Sequence, residues 1–168
     1  MTDCHYEILH SELQGFDVYR TMDIRFTFSA DFQRQLTFRL VFCMKAPDDM
    51  PLLKELTKVD LSRCNLCVIS FYNIEAEHHP DCDMFDRPPT AIILTLHETL
   101  FLYNSLIGVI LQIARRENIQ ILTFQAYTPQ LIRIYDRLVR QQAGLRNLRV
   151  DKKGAIYVLQ TEDGNPRH

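Results

Sequence analysis

Two stretches of helical periodicity enclose one short apolar run, and that order limits the possible folds more than any other feature of the chain. Leu96, Leu100, Tyr103, Ile107, Ile110, Leu111 and Ala114 recur at helical spacing to about Glu117, which predicts a helix with one buried face. Thr95-Leu96-His97-Glu98 has the spacing of a capping box, in which the Thr hydroxyl and the Glu carboxylate satisfy each other's amides. Asn118 is the expected C-cap. Ile119 to Tyr127 reads as a short strand. Thr128-Pro129 then starts a second helix as N-cap and first helical residue, with Leu131, Ile134, Tyr135, Leu138 and Val139 as its buried stripe and Gly144 expected to end it. Leu148-Arg149-Val150 and Ala155 to Gln160 read as a closing hairpin around Lys152-Lys153-Gly154.

The first half has a different period. Ile24, Phe26 and Phe28 alternate with Arg25 and Thr27, and Leu36, Phe38, Leu40 and Phe42 alternate with Thr37 and Arg39. A period of two marks strands with one buried face. Ser29 to Gln35 joins them, so a long antiparallel hairpin is expected, after a first strand from Tyr6 to Leu13. Asp48-Asp49-Met50-Pro51 suits a helix start and a short helix to about Val59. Cys64 to Asn73 is a nearly continuous apolar run, as expected of a central strand. Glu75 to Pro89 is polar with three prolines and reads as a loop. The expected class is α+β, a mixed and mostly antiparallel sheet with a C-terminal αβαβ half. It forms one domain over residues 1–162 with a frayed tail over 163–168.

The chain has 168 residues, 46% of them apolar, enough for a substantial core. Met1 to His10 has neither a basic nor an apolar region, so no secretion signal is read. Leu100 to Ala114, broken by Tyr103, Asn104, Ser105 and Gln112, reads as too short and too polar to span a bilayer. Cys4, Cys43, Cys64, Cys67 and Cys82 are an odd set, which fits reduced thiols better than a disulfide framework. A soluble cytoplasmic protein with no membrane partner is the expectation.

Charge is unevenly placed. Residues 1–96 carry 9 basic and 15 acidic side chains, whereas residues 97–168 carry 10 basic and 6 acidic. Arg133, Arg137, Arg140, Arg146, Arg149, Lys152 and Lys153 face only Asp136 and Asp151. Arg133, Arg137 and Arg140 share one helix face by their spacing. Such a surface suits an acidic protein partner or a phosphate backbone, or it is simply a solvated helix face.

Other constellations are weaker in spacing. Cys64, Cys67, His78 and Cys82 have the ligand types of a tetrahedral zinc site, but a CxxC pair within a strand points to opposite faces, so no metal is favoured. Glu75, Glu77, His78, His79, Asp81, Asp83 and Asp86 match no EF-hand. There is no Walker loop, nucleophile elbow or Ser/His/Asp arrangement.

The stretch from Cys64 to Gln160 resembles the GCN5-related N-acetyltransferase (GNAT) superfamily, through VISFYN, ILQIARREN, IQILTFQA and TPQLIRIYDRLVRQQAG. It also looks like small phage- and plasmid-associated families that share this half. The resemblance implies acetyl-CoA as a possible cofactor, docked at the start of the long helix near Thr95, His97 and Thr99, and Tyr135 as general acid to the leaving thiolate. In that superfamily a Gly-rich turn admits the pyrophosphate to the helix N-terminus. Here that turn has no glycine, and Glu98 places a carboxylate there. Two expectations follow. One is a non-catalytic GNAT-like interaction domain, an accessory protein of a phage or mobile element that binds a macromolecule, most simply a protein. The alternative is an acyl-CoA-dependent N-acyltransferase with an atypical cofactor site.

Overall fold

The structure is a computed structural model, and it describes residues 4–10, 13–16, 18–29, 34–45, 47, 50–58, 60–78, 92–146 and 148–161. The fold is mixed α+β with a mostly antiparallel sheet. Strands are β1 (His5–Ile8), β2 (Gln14–Phe16), β3 (Tyr19–Thr27), β4 (Gln35–Cys43), β5 (Leu66–Asn73), β6 (Ile121–Gln125), β7 (Arg149–Lys153) and β8 (Ile156–Gln160). Helices are α1 (Met50–Thr57), α2 (Leu96–Arg116) and α3 (Pro129–Arg146). The hydrogen-bonded strand order is β1-β3-β4-β5-β6-β8-β7, with β2 pairing β3. Contacts group the chain into two compact units, residues 1–42 with 70–105 and residues 43–69 with 106–168.

In the first unit, β1 runs antiparallel to β3 from His5↔Thr27 to Ile8↔Ile24. The Phe28 amide donates to the Arg34 carbonyl at 2.8 Å. The β3–β4 connection is too short for a parallel crossover, so these neighbours form the expected antiparallel pair. The apolar face of the alternation is realised, with Met22, Ile24, Phe26, Leu36, Phe38, Leu40 and Phe42 all buried, while Thr27 on the other face is buried as well. Phe26 is the hub, edge-on to Phe38 and Phe101 at 6.3 Å each. Each such ring contributes roughly 2–3 kcal/mol through burial. On the opposite face Arg39 pairs with Asp23 at 2.9 Å and with Glu77 at 2.8 Å, and the Tyr72 hydroxyl donates to Glu77.

In the second unit, β5 pairs parallel with β6 over Leu66–Val68↔Ile121–Thr123, and β8 lies antiparallel between β6 and β7. β6 is buried on both faces from Ile121 to Phe124, which explains why it reads as a run and not as an alternation. Leu53, Leu61, Ile121 and Val158 form the core on the α1 side. Phe124 and Tyr157 stack at 5.1 Å on the α3 side, with Tyr135 edge-on to both.

The ends of the elements follow local chemistry. Thr128 Oγ1 accepts from the Leu131 amide at 3.1 Å, confirming the N-cap of α3. Asn118 closes α2 with φ 57°. Its amide donates to the Arg115 carbonyl and the Ile119 amide to the Ala114 carbonyl, the paired bonds of a Schellman motif.

Several expectations are corrected. The first strand ends at Ile8, and Gln14–Phe16 forms a separate strand. β5 starts at Leu66, because Leu61–Arg63 turns as a 3-10 helix just before it, and Cys64 lies outside the strand. Residues Ile74–His78 form a second 3-10 helix, begun when the Glu75 amide donates to Asn73 Oδ1 at 3.0 Å. β6 is shorter than Ile119 to Tyr127, since its flanks serve the cap of α2 and the start of α3. Gly144 does not end α3, which runs on to Arg146. The final turn is Gly154-Ala155, with Gly154 at φ 62°, so Lys152 and Lys153 belong to β7. α2 has 21 residues and is long and apolar enough, by length and composition, to cross a membrane. It contributes Leu102 to the first unit's core and Leu106, Val109, Ile113 and Ala114 to the second's, which is how a core helix reads as well. Asp48, Asp49, residues 79–91 with Cys82, and the tail from 163 lie outside the described residues, as do the side chains of His78 and Arg146.

Candidate functional site: the basic face of α3 and its hairpin

The burial of Tyr135, Leu138, Val139 and Gln142 fixes how α3 is rotated in the second unit. Arg133, Arg137 and Arg140 are therefore exposed. Among the described residues none of the three makes an ion pair or side-chain hydrogen bond. They span about 10 Å of helix.

The rest of the expected basic set divides. Lys152 Nζ donates to Asp136 at 2.8 and 3.0 Å and lies 5.3 Å from the Tyr157 ring centroid. Arg149 Nε is 3.4 Å from Asp151 Oδ2, an ion-pair distance without hydrogen-bond geometry, so Oδ2 stays without a hydrogen-bond partner. Lys153 is exposed. Two of the expected cations are thus partly neutralised within the fold, and the α3 arginines keep their charge.

Asp136 and Tyr157 organise the surface between α3 and the hairpin. The Tyr157 hydroxyl lies 2.6 Å from Asp136 Oδ1 and 3.1 Å from the Ile132 carbonyl. The Lys152 ammonium and then the Tyr157 hydroxyl hold the Asp136 carboxyl below its usual range. Burial and then the Asp136 carboxylate push the Tyr157 phenol well up. Asp136, Val139, Arg140, Val150, Lys152 and Tyr157 line a shallow concavity of about 290 Å³. Sequence reasoning missed Tyr157, because a tyrosine in a buried strand carries no signal of what its hydroxyl meets. Asp136 entered only as a counter-charge.

The other expected site residues are dispersed. Tyr135 is 4% exposed, inside the aromatic cluster with Phe124 and Tyr157. At the start of α2, Thr95 Oγ1 accepts from the Glu98 amide at 3.1 Å, and Glu98 Oε1 accepts from the Thr95 amide at 2.9 Å. The Thr99 hydroxyl and amide both donate to the Thr95 carbonyl at 2.9 Å, and His97 is exposed. Arg34 Nη2 donates to Glu98 Oε1 at 2.6 Å and to the Ile93 carbonyl at 3.0 Å. Burial opposes the charge on Glu98, but the Thr95 amide and Arg34 outweigh it and hold the carboxyl low. The Thr95 and Glu98 amides, two of the four that a helix start leaves open to a docked anion, are already used.

Among the described residues the cysteines do not assemble into a site. Cys67 is buried beside Cys43, and Cys64 packs at the edge of the α1-side core with its thiol 3.6 Å from the Asp60 carbonyl. No group of three His, Cys, Asp or Glu residues that could hold a metal occurs among the described residues. No family model, no curated protein and no solved structure matches the chain.

Proposed function

We propose that this chain is a non-catalytic, GNAT-like interaction domain that binds an acidic protein surface through the exposed face of α3. The observation that carries the reading is the row of Arg133, Arg137 and Arg140, exposed and unpaired among the described residues. Retained charge of this kind steers association and selects acidic partners. The occupied start of α2 and the buried Tyr135 support the non-catalytic part.

The test is fluorescence anisotropy with labelled poly-glutamate and, separately, a labelled 20-nucleotide single-stranded DNA, both at about 50 mM salt, where screening is weak. Poly-glutamate binding that falls at least tenfold in the Arg133→Glu/Arg137→Glu double variant is expected. Tighter binding of the DNA would replace the protein partner with a nucleic acid. Loss of neither ligand in the double variant would remove α3 from the reading.

One observation favours the acyltransferase reading. The parallel β5–β6 pairing stops at Val68↔Thr123, and β6 continues through Phe124 and Gln125 on β8. The acyltransferase reading calls for strands that part beside an open helix N-terminus, and at the start of α2 the Thr95 and Glu98 amides are already used. Calorimetry with acetyl-CoA separates the two, since one-to-one binding would overturn the non-catalytic assignment.

A further inference from the structure

We infer that the concavity between α3 and the β7–β8 hairpin seats a glutamate side chain of the partner, with Arg140 as its anchor. This deepens the interaction reading above and rests on it. The site contains one carboxylate, Asp136, and two cations, Arg140 and Lys152. Asp136 is fully engaged, taking Lys152 at 2.8 and 3.0 Å and lying 2.6 Å from the Tyr157 hydroxyl. Arg140 lies close enough to lower the Asp136 carboxyl electrostatically but makes no ion pair among the described residues. The site therefore has one uncompensated positive charge.

That count selects the ligand. A carboxylate carries one negative charge and matches Arg140 in the bidentate geometry that guanidinium favours. A phosphate dianion would bring a second charge beside Asp136 with nothing left to meet it. The walls add a further restriction. Val139 and Val150 line the concavity with apolar surface, suited to the two methylenes of a glutamate stem. The Tyr157 ring is not open for stacking, because Phe124 covers one face at 5.1 Å and Lys152 lies over the ring, so a nucleobase has no platform. The volume of about 290 Å³ holds one such side chain with part of its neighbour, at the small end of ligand sites.

The experiment is an NMR titration of the 15N-labelled 168-residue chain with the blocked peptide acetyl-Gly-Leu-Glu-Leu-Gly-amide. Saturable shifts are expected at the amides of Val139, Arg140, Val150 and Lys152. The same peptide with glutamine in place of glutamate is expected to bind at least tenfold more weakly. Arg140→Gln is expected to weaken the glutamate peptide at least tenfold and Arg115→Gln, at an exposed position of α2 outside the basic face, less than twofold, with the rest of each spectrum unchanged. Equal binding of both peptides, shifts elsewhere, tighter binding of inorganic phosphate, or no effect of Arg140→Gln would overturn the assignment. If poly-glutamate binds and depends on Arg133 and Arg137 while the peptide does not seat, the pocket is wrong and the interaction reading stands. If neither binds, both fall.

Discussion

Thr95 and Glu98 satisfy each other at the start of α2: the Thr95 amide donates to the Glu98 carboxylate at 2.9 Å, and the Glu98 amide donates to the Thr95 hydroxyl at 3.1 Å. Arg34 then joins the same carboxylate at 2.6 Å. A helix start that resembles an anion site in position is thereby closed by the chain's own anion. Removing the Thr95 hydroxyl should cost about 1 kcal/mol, as loss of an N-cap does. Glu98→Ala should cost more, about 2 kcal/mol, since it also strips Arg34 of a part-buried partner. Urea unfolding at pH 7 checks both, with the midpoint falling and the slope unchanged.

Asp136 and Glu98 both have carboxyls held below their usual range. A group whose folded value is depressed contributes stability above its unfolded value, about 4 for these side chains. That stability is lost as pH falls through the lower folded value. Unfolding free energy should therefore fall steadily below about pH 4, and Asp136→Asn and Glu98→Gln should each flatten that decline. An acid limb unchanged in both variants would mean that neither pair is retained in solution.

Gln160 is 3% exposed, yet neither its Nε2 nor its Oε1 has a hydrogen-bond partner. It lies opposite Ile121 across β6 and β8. Met has nearly the same shape without the polar atoms. Gln160→Met should raise stability by about 1 kcal/mol, because the desolvation cost disappears while packing is kept. A drop in melting temperature would show that the amide is paired.

Gly144 distinguishes two accounts of the end of α3. Inside the helix, with nothing beyond its chain neighbours and its own helix backbone within 4 Å of an added Cβ, it weakens the element relative to alanine. Gly144→Ala should stabilise by roughly 0.5–1 kcal/mol. A left-handed cap at this position would give destabilisation, the opposite sign.

Burial pushes the Cys67 thiol up to about 12. Only the thiolate is nucleophilic, so iodoacetamide at pH 8 should leave Cys67 unmodified in the folded chain and label it in urea. Mass spectrometry of the digested protein reads this directly. Rapid labelling of Cys67 in buffer would contradict its burial.

The sequence alone determined what depends on near neighbours in the chain. Period-two alternation placed β3 and β4, since side chains of a strand alternate faces whatever lies beyond it. The capping box at Thr95–Glu98, the Asn118 end of α2 and the Thr128 cap of α3 are contacts within six residues, so their spacing was sufficient. Composition also located the basic segment. What the tertiary structure decided was which of those charges are available. Lys152 is taken by Asp136, sixteen residues away, and Arg149 lies beside Asp151, while the rotation of α3 about its buried stripe leaves Arg133, Arg137 and Arg140 outside. Gly144 stayed in the helix because nothing there required a left-handed residue, although its type suggested a stop. The closure of the α2 start by Arg34, sixty-four residues from Glu98, was invisible to any local pattern. Long-range pairing sets the energy of a buried charge, and no spacing rule encodes it.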